Sequence, residues 1–173
     1  MKRTSISASS HDEPHLRLST PTRAGGVTGR IRTEHTEGVT DERALIVVDA
    51  ANVVGSRPNG WWRDRVGAAR RLLTQLNTWE QRTHGQADVV VVLEGAANAA
   101  VGDREGPDVG DVRVVRAEGS GDDSIVDVVA SAVDEDGDRP ITVVTADRGL
   151  RDRVAALGAH TVGPRWLLDR IES

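Results

Sequence analysis

Four short stretches of the sequence follow apolar runs with side chains that ionise or bond strongly to cations. "ALIVVDAAN" carries Asp49 and, three residues on, Asn52; "VVVVLEG" reaches Glu94; "GSGDDSIVD" holds Asp122, Asp123 and Asp127; "ITVVTADRG" sets Asp147 after a fourth run. Carboxylates are anionic at neutral pH and offer only oxygen. At separations of about 5 Å and an effective dielectric near 20, each pair of them repels by about 3 kcal/mol. A hard divalent cation offsets that repulsion, because Mg²⁺ and Mn²⁺ take oxygen ligands, commonly one or two carboxylates and several waters. Such an ion also orients a phosphate and activates water. If Asp49, Asp122 and Asp147 converge, neutralising Asp49 should relieve part of the repulsion in the metal-free domain. Each residue also has a plainer explanation. Aspartate is a common helix N-cap, Asp122 or Asp123 would cap a helix starting at Ser124, and Asn52 would close an Asx-turn. The coincidence at three strand ends favours a shared metal site.

The elements that must position these residues can be read from the apolar pattern. Short runs at Ala44–Val48, Val89–Leu93, Val112–Val115, Ile141–Val144 and His160–Val162 are almost continuously apolar and rich in valine. Such runs, alternating with helical patterns, indicate a parallel sheet buried on both faces. Val66, Ala69, Leu73 and Leu76 mark one face of a helix that ends near His84 and Gly85. Two more helices are predicted over Asp122–Val133 and Arg148–Leu157, and Pro164 suits the first position of a last one, through Ile171. The fold class is therefore an α/β sandwich with a mostly parallel central sheet. In such sheets, ligands bind beyond the carboxyl ends of the strands, which is where the acidic residues stand.

Residues 1–40 lack any apolar period and read as a disordered tail, leaving 41–173 as the folded domain. The tail carries +2 of a whole-chain charge of −5, so the domain is at −7. The chain has no Cys, Phe or Tyr, which excludes disulfides and thiolate metal sites and makes each of the four Trp conspicuous. Trp79 and Trp166 read as core; Trp61 and Trp62 flank a Gly-rich loop and suit base stacking, with at least one of the two needed for packing. His11, His15, His35, His84 and His160 have no metal-ligand spacing. No run is long enough for a membrane span and no signal peptide is visible, so a cytoplasmic location is the expectation.

Only Lys2 is a lysine. That removes P-loop and receiver-type chemistry, which need a lysine inside the fold, and the absence of a Gly-x-Ser-x-Gly elbow removes the α/β-hydrolases. A haloacid-dehalogenase-type site needs Asp or Thr, and an integrin-type site Ser, where Ala51 stands. What remains is Asp-x-x-Asn after the first strand, Gly-x-Asp-Asp at a helix start and Thr-x-Asp after the fourth strand. In "VVDAANVVG", "GSGDDSIVD", "VVTADRGLRDRV" and "GAHTVGPRWLL" the sequence resembles the PIN-like nucleases, specifically the NYN branch related to the YacP-type proteins. The resemblance covers Leu45 to Leu168 in order and has no counterpart for the tail.

The resemblance implies a Rossmann-like three-layer sandwich that binds one or two Mg²⁺ or Mn²⁺ ions and hydrolyses RNA phosphodiesters. By position, Asp49, Asp122 or Asp123, and Asp147 would be the ligands, with Asn52 beside them and Asp127 as an outer ligand. Glu94 departs from the commonest residue at its strand end. Arg57, Arg63, Arg148 and Arg151, with Trp61, are the candidate contacts to RNA. Two rival readings stand beside this one. The same metal chemistry could convert a free NTP to NMP and pyrophosphate, which the −7 charge favours because long RNA prefers a positive track. A non-catalytic RNA- or protein-binding module is the other. Expected partners are RNA or a nucleotide and no membrane, with a homodimer or protein partner left open.

Overall fold

The computed structural model describes residues 43–102 and 108–173. The chain divides between Gly38 and Val39, so every described residue belongs to the second unit. The tail expected over residues 1–40 lies outside the described residues.

The elements follow in the order β1 (Ala44–Asp49), α1 (Ala50–Gly55), a 3₁₀ turn (Trp61–Arg63), α2 (Arg65–Thr83), β2 (Ala87–Leu93), a second 3₁₀ turn (Gly95–Ala100), β3 (Asp108–Val109), β4 (Val112–Arg116), α3 (Gly121–Glu135), β5 (Ile141–Val144), α4 (Arg148–Ala155), β6 (His160–Val162) and α5 (Pro164–Ile171). The sheet order is β3-β4-β2-β1-β5-β6. Five strands are parallel, and the two-residue β3 pairs antiparallel with β4.

Alternation along each strand divides the apolar runs between two cores. Ile46 and Val48 of β1 join Val89, Val91 and Leu93 of β2 on one face, under Val53, Leu72, Leu73, Leu76 and Leu167 from α1, α2 and α5. Leu45 and Val47 join Val90 and Val92 on the other, under Ile125, Val129, Leu150 and Val154 from α3 and α4. The predicted strands are all present, each matching its apolar run to within two residues. α2 is capped at its start by Asp64, whose carboxylate accepts from Gly67 N at 2.7 Å. A Cβ at Gly67 would fall 2.0 Å from that carboxylate, so only glycine lets this cap close. The helix stops at His84, the one non-glycine described residue with positive φ, at 54°.

Several details differ from the sequence expectation. α3 begins at Gly121 under a Ser120 cap, so neither Asp122 nor Asp123 caps it. α4 ends at Ala155, two residues early. α1, both 3₁₀ turns and β3 were not anticipated, because pieces this short show no usable period. Trp79 and Trp166 lie half-buried at the margin of the first core rather than within it.

From this packing, Leu76→Ala is expected to cost about 2–5 kcal/mol, since Leu76 is fully buried. Trp62→Ala should change stability by less than about 0.5 kcal/mol, because that side chain is exposed. Urea titrations of the two variants, compared at equal m-value, check both.

Candidate active site

β1 runs apolar to Val48 and ends on Asp49, which is only 5% exposed. An ionised carboxylate at that depth requires donors, and three are present. Asn52 N donates to Oδ1 at 3.0 Å, Asn52 Nδ2 to Oδ2 at 2.7 Å, and Thr145 Oγ1 to Oδ2 at 2.8 Å. Asp49 is thus the N-cap of α1, and the Asn52 amide is engaged by its carboxylate. Thr145, fully buried just past β5, was not singled out by the sequence reading although it stands in the Thr-x-Asp motif. Its hydroxyl also accepts from Asp147 N at 3.1 Å, and its carbonyl accepts two bonds from the Arg151 guanidinium at 3.0 and 2.8 Å. Asp147 in turn caps α4 by accepting from Leu150 N at 2.8 Å.

The strand order reverses direction at β1 and β5. The chain moves outward from β1 through β2 to β4, then crosses under α3 to β5 on the other side of β1. Ligands bind at such switch points in α/β sheets, and Asp49 with Thr145 stands at this one. Glu94, after β2, reaches the start of α3: its Oε2 accepts from Gly121 N at 2.9 Å. A Cβ at position 121 would lie 2.6 Å from that oxygen, so Gly121 keeps the approach open.

The Asp122 side chain, in the first turn of α3, makes no hydrogen bond among the described residues. Partial burial raises its carboxyl above the ordinary aspartate value, and the negative charges of Asp147, Asp49 and Glu94 add to the rise, while Arg153 opposes it. Four carboxylates from four different connections therefore share one field at the carboxyl edge. Among the described residues, no three Asp, Glu or His side chains are drawn together closely enough to form a ready-made metal cage. The donor set nonetheless suits a hard cation. Every group is an oxygen, Asp122 has both oxygens free, Asp147 keeps Oδ2 and Glu94 keeps Oε1, and one lone-pair position remains on Asp49 Oδ1.

Other predicted residues lie apart from this edge or are otherwise engaged. Asp123 is exposed and pairs with Arg153 at 2.7 Å. Asp127 is about 140° further round α3 than Asp122, and it lines a groove of about 800 Å³ with Ser124, Ser131, Arg113 and Arg139. Its helical position removes it from the ligand group. Arg57 is held by Gln75 at 3.0 Å and Glu172 at 2.8 Å, so it braces α1 and the carboxyl terminus instead of facing a phosphate. Trp61 is half-buried against the first core, and the exposed indole is its neighbour Trp62. Arg151 serves the Thr145 carbonyl. Arg63 and Arg148 are exposed and make no ion pair among the described residues.

No family profile matches the chain, and no curated protein matches it. Two solved structures of Rae1 (YacP) from Bacillus subtilis do. One is 21% identical with a TM-score of 0.59, covering 74% of this chain and 73% of that one. The other, of a mutant form, is 20% identical with a TM-score of 0.57 and covers 75% of each chain. The likeness establishes the fold, an α/β sandwich of the kind those structures share. It is also a likeness to the protein type that the sequence motifs resemble.

The hydrogen bonds reverse one expectation and sharpen another. Asp49→Asn would set an amide NH₂ against the Asn52 amide or the Thr145 hydroxyl, so it should destabilise by about 1–3 kcal/mol, not stabilise. Relief is expected at Asp122 instead, where burial and then the neighbouring negative charges penalise the ionised form. Its folded-state pKa lies above its unfolded value, so its favourable contribution exists at low pH and is lost as pH rises through the folded value. Asp122→Asn should therefore melt above wild type at neutral pH, and the gap should close as pH falls toward about 4. Paired melting curves across that range decide it; a gap that stays constant with pH would mean that neither burial nor the neighbouring carboxylates penalise the Asp122 charge.

Proposed function

We propose that this domain is a metal-dependent ribonuclease that hydrolyses RNA phosphodiester bonds at the carboxyl edge of its sheet. The observation that carries the reading is the common field of Asp49, Glu94, Asp122 and Asp147 at the switch point. The fold shared with Rae1 (YacP) supports it, as does the ordered set of motifs.

Each residue has a distinct part. Asp49 is the fixed member, since three donors hold its carboxylate and leave it no rotamer freedom. Asp147 is positioned through its own backbone by Thr145 and through its cap by Leu150. Asp122 carries the least-compensated charge and is the group whose ionised form most needs a cation. These three would hold Mg²⁺ or Mn²⁺, with Glu94 beside them. When bound, the ion supplies charge neutralisation at the phosphate and the activation of water that hydrolysis needs. Arg148, exposed directly after Asp147, is free to take a phosphate oxygen and hold the scissile group at this edge. Asn52 acts through Asp49 as a positioning residue.

Hydrolysis of a free nucleotide uses the same groups, and the −7 charge of the domain favours a short polyanion. The two are separated by incubating the protein with labelled RNA and with NTPs, each in Mn²⁺ and in EDTA. RNA should be cut in Mn²⁺ alone, and turnover of NTPs without RNA cleavage would shift the reading to a pyrophosphohydrolase. Asp147→Asn should abolish cleavage while keeping its fold, because asparagine caps a helix as well as aspartate does. A readout independent of activity is the melting temperature. Mn²⁺ at about 100 times its Kd should stabilise wild type by about 2.7 kcal/mol, several degrees, and Asp147→Asn much less. Equal shifts in both proteins would sink the metal site.

A further inference from the structure

Trp62 is the exposed large hydrophobic side chain of the described domain, with 58% of its surface open. It is nevertheless braced. Its ring meets Trp61 edge-on, with centroids 6.4 Å apart and planes at 85°. Trp61 rests on the first core, 3.6 Å from where a Cβ on Gly55 would stand, and the Arg65 guanidinium lies 5.5 Å from its ring centre. The result is an indole face that is open to water yet fixed in position.

The charges around it are not neutralised. The Arg63 side chain is exposed and has no ion pair or hydrogen bond among the described residues; the Arg65 side chain is exposed, and its described contact is the Trp61 ring. Asp64, between them, is taken by the α2 cap and faces Arg71 at 3.8 Å. Two guanidinium groups without ion pairs, one of them over the Trp61 ring, therefore follow the open indole within three residues in a domain whose net charge is negative.

Its place in the fold follows from lengths. α2 has 19 residues, about 28 Å, and only His84, Gly85 and Gln86 separate its end from the start of β2. The helix thus returns to the amino edge of the sheet after running antiparallel to strands no longer than about 23 Å. Its first turn, with Trp62 just before it, stands at the carboxyl edge, where Asp49 is.

We infer that Trp62, Arg63 and Arg65 form a base-stacking platform for single-stranded RNA, the indole taking one base and the arginines the adjoining phosphates. This rests on the ribonuclease reading and narrows its substrate to unpaired strands, because bases within a duplex are already stacked on one another. Stacking on an indole accepts any base, so the platform gives affinity with little sequence preference. An exposed Trp beside Arg also suits a protein interface; the two uncompensated cations favour the polyanion.

The test uses the full chain in EDTA, so that binding is read without cleavage. A labelled single-stranded oligoribonucleotide of about 12 nucleotides and the same strand annealed to its complement are titrated by fluorescence anisotropy. Wild type should prefer the single strand. Trp62→Ala should weaken that binding by about five- to 150-fold at an unchanged melting temperature, and Trp62→Phe should restore most of it. Arg63→Gln should reduce the slope of log affinity against log salt by about 0.7. Equal affinity for both forms, or a Trp62→Ala that binds like wild type, overturns the platform. So does a wild type that binds neither, which would leave Trp62 to a protein partner. Binding lost in Trp62→Ala, with no RNA cut by wild type in Mn²⁺, would keep the platform and remove the nuclease.

Discussion

The hydrogen bond from Thr145 Oγ1 to Asp49 Oδ2, 2.8 Å long, joins the carboxyl ends of two neighbouring parallel strands, β1 and β5. Its direction is forced. Thr145 has one hydroxyl proton, and a deprotonated carboxylate can only accept, so the proton goes to Asp49 and the oxygen's lone pair is left for Asp147 N. One buried hydroxyl thereby orients one acidic residue through its side chain and another through its backbone. Without it, Asp49 would keep only the two donors of Asn52 in a site almost closed to water, and an under-bonded buried carboxylate is costly. The two guanidinium bonds from Arg151 to the Thr145 carbonyl hold the same residue from the α4 side.

Helix capping does not by itself use up an aspartate that stands after a strand. A carboxylate has two oxygens and about four acceptor positions, and a cap consumes one. Asp147 spends Oδ1 on Leu150 N and keeps Oδ2; Asp49 spends three positions and keeps one. Capping therefore fixes each carboxylate without exhausting it. Asp122 differs because Ser120 takes the α3 cap. Its carboxylate is left without a donor, and partial burial first, with the neighbouring negative charges adding to it, raises its pKa.

The sheet and the long helices were legible because their signals are collective. Five valine-rich runs and the apolar face of α2 each repeat a period over many residues, and parallel strands oblige their acidic ends to share an edge. Partner choice was not legible. Nothing in the sequence around Arg57 indicates that Gln75 and Glu172 will engage it, since both contacts depend on how α1, α2 and the carboxyl terminus meet. Which of Trp61 and Trp62 turns outward depends on a three-residue 3₁₀ turn too short to show a period. Asp127 seemed close to Asp122 in sequence, but five helical residues carry it to another face. Thr145 carries no charge, so a search for ionisable groups passes over the residue that organises them.

A chain with lysine only at position 2 must do its lysine-type cationic work in the domain with arginine. Besides the arginines paired with carboxylates, such as Arg57, Arg71 and Arg153, two further groups stand out. Arg70, Arg82, Arg139, Arg151 and Arg170 donate to main-chain carbonyls, where the planar fork of the guanidinium satisfies acceptors that an ammonium would meet less specifically. Arg70, Arg82 and Arg139 cross-link segments far apart in sequence, while Arg170 bonds within α5. Arg63, Arg65 and Arg148 are exposed, without ion pairs among the described residues, and belong to elements that begin at the carboxyl edge of the sheet. The fixed carboxylates set where a cation could sit, and the uncommitted arginines set where the phosphates around it could be held.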